Sequence, residues 1–184
     1  MPKRRLSLLL PLGAALALGN GGVLLAADAA HHDGHGGKPV AWAKLHDAQG
    51  REAGVVKLTL GEHGLNGMAT VNGIAPGAHG IHLHTTGKCD APGFTTAGGH
   101  LNPDAKQHGL QNPQGSHQGD LPDLVVGADG KGHGMFVAHT TVDTLFDADG
   151  TAVVVHAAPD DGKTDPSGNS GARILCGVLE KPGK

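Results

Sequence analysis

Aromatic side chains are nearly missing from the sequence: there is no tyrosine, one tryptophan (Trp42) and three phenylalanines (Phe94, Phe136 and Phe146). That scarcity excludes a stacking surface for nucleobases and an aromatic platform for sugars. No segment carries an apolar stripe at helical spacing, so a helical bundle is excluded as well. Cysteine is limited to Cys89 and Cys176, too few for a disulfide-stapled miniprotein. Basic charge is also short. Taking away residues 1–29 removes Lys3, Arg4, Arg5 and Asp28 from totals of 14 basic and 17 acidic residues, which leaves the remainder near minus 5 with histidines neutral. No basic face is left for nucleic acid or anionic lipid.

What the sequence does have is glycine, proline and histidine, at 32, 11 and 14 of 184 residues. A chain of this length with 38% hydrophobic residues can build one domain with a true core, and its Gly and Pro content suits a protein rich in turns. Residues 1–29 are set apart. They combine a basic start (MPKRR), an apolar stretch broken by Pro11 and Gly13, and small residues in an A-x-A arrangement at Ala27 and Ala29. The segment reads as an export signal cleaved after Ala29, because Asn20, Gly21 and Gly22 interrupt the apolar run before it reaches membrane-spanning length. Ser7 after Arg4 and Arg5 favours ordinary secretion over the twin-arginine route. An exported chain with two cysteines most simply makes one disulfide.

Residues 30–38 form a His/Gly-rich leader, and residues 39–184 form the domain proper. Cleavage after Ala29 places His32 third, where a terminal amine, two amides and an imidazole can wrap square-planar Cu(II).

Strand chemistry bounded by turn residues recurs at 40–47, 52–60, 65–72, 78–85, 123–128, 134–142, 151–158 and 173–180, with Asp-Gly turns at 129–130 and 149–150. Eight short strands predict an all-β fold: an antiparallel Greek-key sandwich or flattened barrel with two long functional loops. Those loops run from Thr86 to about Pro122 and from Ala157 to Ala172. The first has few apolar residues but contains His100, His108, His117 and Asp120, so metal is the simplest means of ordering it.

The stretch HGIHLH at 79–84 supplies the strand-borne partners. Side chains two apart share a face, so His82 and His84 converge while Ile81 and Leu83 turn to the other side. His79 falls off that face and reads as structural. His156 closes the apolar run TAVVVH and is placed as a third strand-borne ligand. Three imidazoles and one carboxylate from the loop make a closed zinc set, and His82, His84 and His156 an all-imidazole set suited to copper.

The motifs GIHLH, GKC, AGGHLNP, HQGDLP, VVVHAAPDD and GNSGARILCG, in this order, resemble the copper,zinc superoxide dismutases, specifically the bacterial exported branch, over roughly residues 40–180. The resemblance implies copper on His82, His84, His100 and His156, and zinc on His100, His108, His117 and Asp120, with His100 bridging the two. It implies further that Asp160 links a copper histidine to a zinc histidine, that Arg173 guides the anionic substrate, and that Cys89 pairs with Cys176; Lys163 is expected to extend the field of Arg173. Gly162 departs from the pattern, standing where many bacterial members have an aromatic residue.

The implied activity is dismutation of superoxide to dioxygen and hydrogen peroxide by alternate reduction and reoxidation of copper, with His100 as both ligand and proton donor. The small-molecule substrate would be superoxide, the location outside the cytoplasm, in the periplasm. Neither nucleic acid nor, after signal cleavage, a membrane is expected as a partner. Oligomeric state stays open, a homodimer being among the arrangements the resemblance allows.

Two other readings compete. A non-enzymatic exported copper-binding protein of the same fold would lack a zinc ligand or Arg173, or would add a soft methionine or cysteine pair, and the sequence shows none of these. A zinc hydrolase would need an open zinc position, whereas this set is closed. DADG at 147–150 lacks the acidic spacing of a calcium loop.

Overall fold

A computed structural model describes residues 37–183. The export signal and most of the His/Gly-rich leader, with its proposed copper-capturing His32, lie outside the described residues. The domain is almost entirely antiparallel β: β1 Pro39–His46, β2 Glu52–Gly61, β3 Gly64–Asn72, β4 Gly77–His79, β5 Ile81–His84, β6 Leu124–Val126, β7 Lys131–Ala138, β8 Ala152–His156 and β9 Arg173–Val178. Among the described residues no helix is long and apolar enough to cross a membrane.

The strands follow the order β4-β6-β7-β3-β2-β1-β9-β8-β5 in one sheet. The first and last of these, β4 and β5, are separated in the chain by Gly80 alone, so the sheet rolls into a barrel with a single seam at that residue. Burial alternates along β3, with Leu65, Gly67, Ala69 and Val71 inward. The inward residues of β1, β2, β3, β7 and β8 meet in one core that includes Leu45, Val56, Leu58, Phe136, Val153 and Val155. Ile81 and Leu83 join it from β5, as their place opposite the histidines requires.

The expected strand 78–85 is thus two strands, and the count is nine rather than eight. At the break, Gly80 donates to the Ala158 carbonyl and accepts from the His156 amide. The expected strand 134–142 lies earlier, at 131–138. Its end gives way to a single helical turn, Val142–Leu145, capped by the Thr141 hydroxyl accepting from the Thr144 amide.

Cys89 and Cys176 are joined in a disulfide that ties the first long loop to β9. A second apolar cluster of Phe94, Ala97, Ala152, Val154 and Cys176 packs against this bridge. The loop is also bonded to β5: Leu83 donates to Gly119 and accepts from Leu101, while Thr85 donates to Gly99. Its residues Asp120 and His100 form isolated antiparallel bridges with His82 and His84.

Candidate metal centre

All four residues of β5 are buried, two serving the core and two facing the loop. His82, His84, His100 and His156 form one buried group and His100, His108, His117 and Asp120 a second, each able to hold a metal ion, with one ligand atom per residue within 4.8 Å of the others. The sequence-predicted residues therefore come together as two clusters that share His100. Its ring stacks on that of His82 at 3.9 Å and meets that of His117 edge-on at 5.5 Å.

In the first cluster each ring has one nitrogen committed and one free. His82 Nε2 donates to Asp160 Oδ2 at 2.6 Å, His84 Nδ1 to the Gly98 carbonyl at 3.0 Å, His156 Nδ1 to the Gly171 carbonyl at 3.2 Å and His100 Nδ1 to Asp120 Oδ1 at 2.9 Å. The opposite atoms, His82 Nδ1 and the Nε2 atoms of His84, His100 and His156, are buried and unpartnered. A buried polar atom without a partner is costly, and four in one place fit a site built for a ligand that accepts lone pairs. Burial keeps these rings neutral: it holds His82 down to about 3, His84 to about 2 and His156 to about 4, and lowers His100 as well. Neutral imidazole is the form that binds a metal.

The second cluster is arranged around a carboxylate. Asp120 Oδ1 lies 2.9 Å from Nδ1 of His100, 2.9 Å from Nδ1 of His108 and 3.3 Å from Nδ1 of His117. The other oxygen, Oδ2, accepts from the amides of Gly109 and His117. Burial disfavours charge on Asp120, but the hydrogen bonds from His100 and His108 outweigh it and hold the carboxyl well below its usual range. Burial also works against charging His108, and its bonds to Asp120 and Asp160 overcome that and raise it to about 9.

Asp160 joins the clusters. It accepts from His82 on one oxygen, while His108 Nε2 lies 3.0 Å from both oxygens. Two glycines make its position possible. Gly168, at φ +62°, leaves the space where a Cβ would overlap the Asp160 carboxylate. Gly162, at φ +70°, donates its amide to Asp160 Oδ1 and accepts from the Gln111 amide. An aromatic residue would be strained in that backbone conformation, so glycine suits this position.

An open cavity of about 440 Å³ leads to the clusters and is lined by His84, His100, His156, Arg173 and Lys106 among others. Arg173 donates to the carbonyls of Phe94 and Gly98, both at 2.7 Å, and among the described residues it makes no ion pair. Lys106 shares the cavity wall with it. His79 bonds the carbonyls of Ala75 and His156 and stays outside both clusters, as its off-face position indicated. The carbonyls of Gly98, Gly171 and Phe94 have no side-chain signature, and sequence reasoning had no means of finding them.

Comparison with known proteins agrees with this geometry. A family model described as copper/zinc superoxide dismutase matches residues 52–179. The superoxide dismutase-like protein YojM of Bacillus subtilis is 42% identical over 147 residues, 74% of this chain and 74% of that protein. The Cu-Zn superoxide dismutase of Caulobacter vibrioides is 40% identical over 154 residues, 76% of this chain and 85% of the relative. Among solved structures, the Cu/Zn superoxide dismutase from Brucella abortus matches with a TM-score of 0.61 at 31% identity, over 76% of this chain and 99% of that one.

Proposed function

Because the chain belongs to the copper/zinc superoxide dismutase family, we propose that it is an active member, an exported enzyme that converts superoxide to dioxygen and hydrogen peroxide. The observation that carries this reading is the set of four buried, unpartnered imidazole nitrogens beside a complete three-histidine, one-aspartate cluster. In this reading His82, His84, His100 and His156 hold copper, and His100, His108, His117 and Asp120 hold zinc. Copper would supply the one-electron couple that carries an electron from one superoxide to the next, and zinc, which has no redox chemistry, a fixed positive charge behind His100.

The protein's own groups do the rest. Arg173 draws the anion into the cavity with a charge that no carboxylate among the described residues pairs with. His100, through Nε2, faces the first cluster, and a proton held there is placed to pass to the reduced dioxygen that leaves as peroxide, with water supplying the second. Asp160 holds the rings of His82 and His108 in orientation while the two metals are bound. Export is supported by the disulfide, which persists in an oxidising compartment.

The name superoxide dismutase-like attached to one relative means that membership alone does not decide activity. A carrier reading would call for a depleted ligand set, and both clusters here are complete. The decisive experiment measures copper and zinc content of the purified protein together with superoxide removal. One copper and one zinc per chain with rapid removal is expected; an undetectable rate at verified full occupancy would refute the proposal.

A further inference from the structure

Apart from Met1, the chain has two methionines, Met68 and Met135. Neither lies in the core, where an unbranched thioether ordinarily fills gaps. They stand directly opposite each other in the register of β3 and β7, and both are exposed, Met135 at 69% and Met68 at 41%. His133, two residues before Met135 on β7, is exposed on the same outer face. It stands opposite Thr70, the residue two beyond Met68, so it lies diagonal to Met68. Opposed Cβ atoms in such a pair are about 5 Å apart and diagonal neighbours about 7–8 Å, distances that two flexible thioethers and an imidazole can close over one point. Far apart in the chain, the methionines do not read as a pair in the sequence; the strand register makes them one, so the soft pair expected of a copper carrier is present in the fold, beside two complete histidine clusters.

From this juxtaposition the geometry points to a third metal site, on the outer face of β3 and β7, that takes a soft monovalent ion of the Cu(I) class through Met68, Met135 and His133. Thioether sulfur selects Cu(I) over the harder divalent ions, and a neutral imidazole adds the stronger donor. Val125, across from His133, and Val137, two residues beyond Met135, are exposed beside the three and give the site an apolar border. Lys57 stands opposite Met68 on β2 and is also exposed. Its charge opposes a divalent ion twice as strongly as a monovalent one, which sharpens the preference. Apolar pairing across strands would account for the two methionines but gives no use for the histidine beside them. The site is separate from both histidine clusters, which draw on β5, β8 and the first long loop.

The test uses the protein loaded with copper and zinc, its copper reduced, and titrated with silver(I) as a redox-inert stand-in. The methyl resonances of both methionines are followed by NMR, and bound silver is counted against a Met68→Leu/Met135→Leu variant. Both resonances should shift together and saturate with one ion. The double variant should lose that ion while keeping its copper, its zinc and its superoxide removal, and His133→Asn should weaken binding at least tenfold. Methyl resonances unmoved in excess silver, resonances that respond at different concentrations, or a double variant binding as many ions as the parent would overturn the site.

Discussion

His84 and Arg173 donate to the same acceptor: the carbonyl oxygen of Gly98 lies 3.0 Å from His84 Nδ1 and 2.7 Å from Arg173 Nη2. One backbone atom thus fixes both the orientation of a proposed copper ligand and the position of the cation proposed to attract the substrate. Since the disulfide and Phe94 anchor the loop that carries Gly98, the two functions depend on one piece of chain.

Arg173→Ala should keep both metals and lose about an order of magnitude in kcat/KM. At about 6 Å and an effective dielectric near 20, one unit charge attracts the anion by roughly 2–3 kcal/mol before screening. The same variant should show a flatter dependence on ionic strength. Stopped-flow rates across a salt series check both; an unchanged rate and slope at full copper occupancy would remove Arg173 as the guide.

The two metals should differ in their response to pH. Without metal, His108 is raised to about 9, so at neutral pH a proton must leave its Nδ1 before zinc can bind there. Zinc affinity should therefore climb as pH rises, roughly tenfold per unit, and level off near pH 9. His82, His84 and His156, at about 3, 2 and 4, have no proton to lose above pH 5, and burial lowers His100 as well, so copper affinity of the zinc-free protein should stay nearly flat over the same range. Chelator competition at several pH values checks this, and parallel slopes for the two metals would contradict it.

Asp160→Asn removes the charge that both His82 and His108 lean on and puts an N–H where one ring needs an acceptor. Metal affinity should fall about 10- to 100-fold. Gly168→Ala should act in the same direction, since its Cβ would press on the same carboxylate. Equilibrium dialysis settles the point: unaltered affinity in Asp160→Asn would leave the residue without its orienting role.

Replacing both Cys89 and Cys176 with serine opens a bridge between residues 87 apart in sequence. The chain-entropy account gives a loss of roughly 4–5 kcal/mol. Guanidinium unfolding of the metal-free forms measures it. The parent should contain no alkylatable thiol, and two reactive cysteines in the exported protein would contradict the bridge.

Most strands and all the clustered histidines were readable in the sequence because both rest on side-chain identity and a two-residue period, as in Ile81 to His84. The break at Gly80 was hidden, since strand chemistry continues on either side of a single glycine and only the barrel's closure makes it a boundary. Lys106 was missed because the fold of a long loop, not its residue spacing, decides which lysine lines the cavity. Met68 and Met135 are related only by register, a quantity no local pattern contains.

The seam at Gly80 leaves β5 with a strand partner on one flank, β8, and the long loop on the other. An uncovered strand edge is a template for another chain. Here Gly119 and Leu101 occupy the backbone groups of Leu83, and the cluster that includes His100, His117 and Asp120 holds that covering in place. The loop that arranges the chemistry therefore also serves as a cover: whatever secures it keeps the backbone of β5 out of reach of another chain, and whatever frees it uncovers an edge at which the barrel can be extended by a stranger.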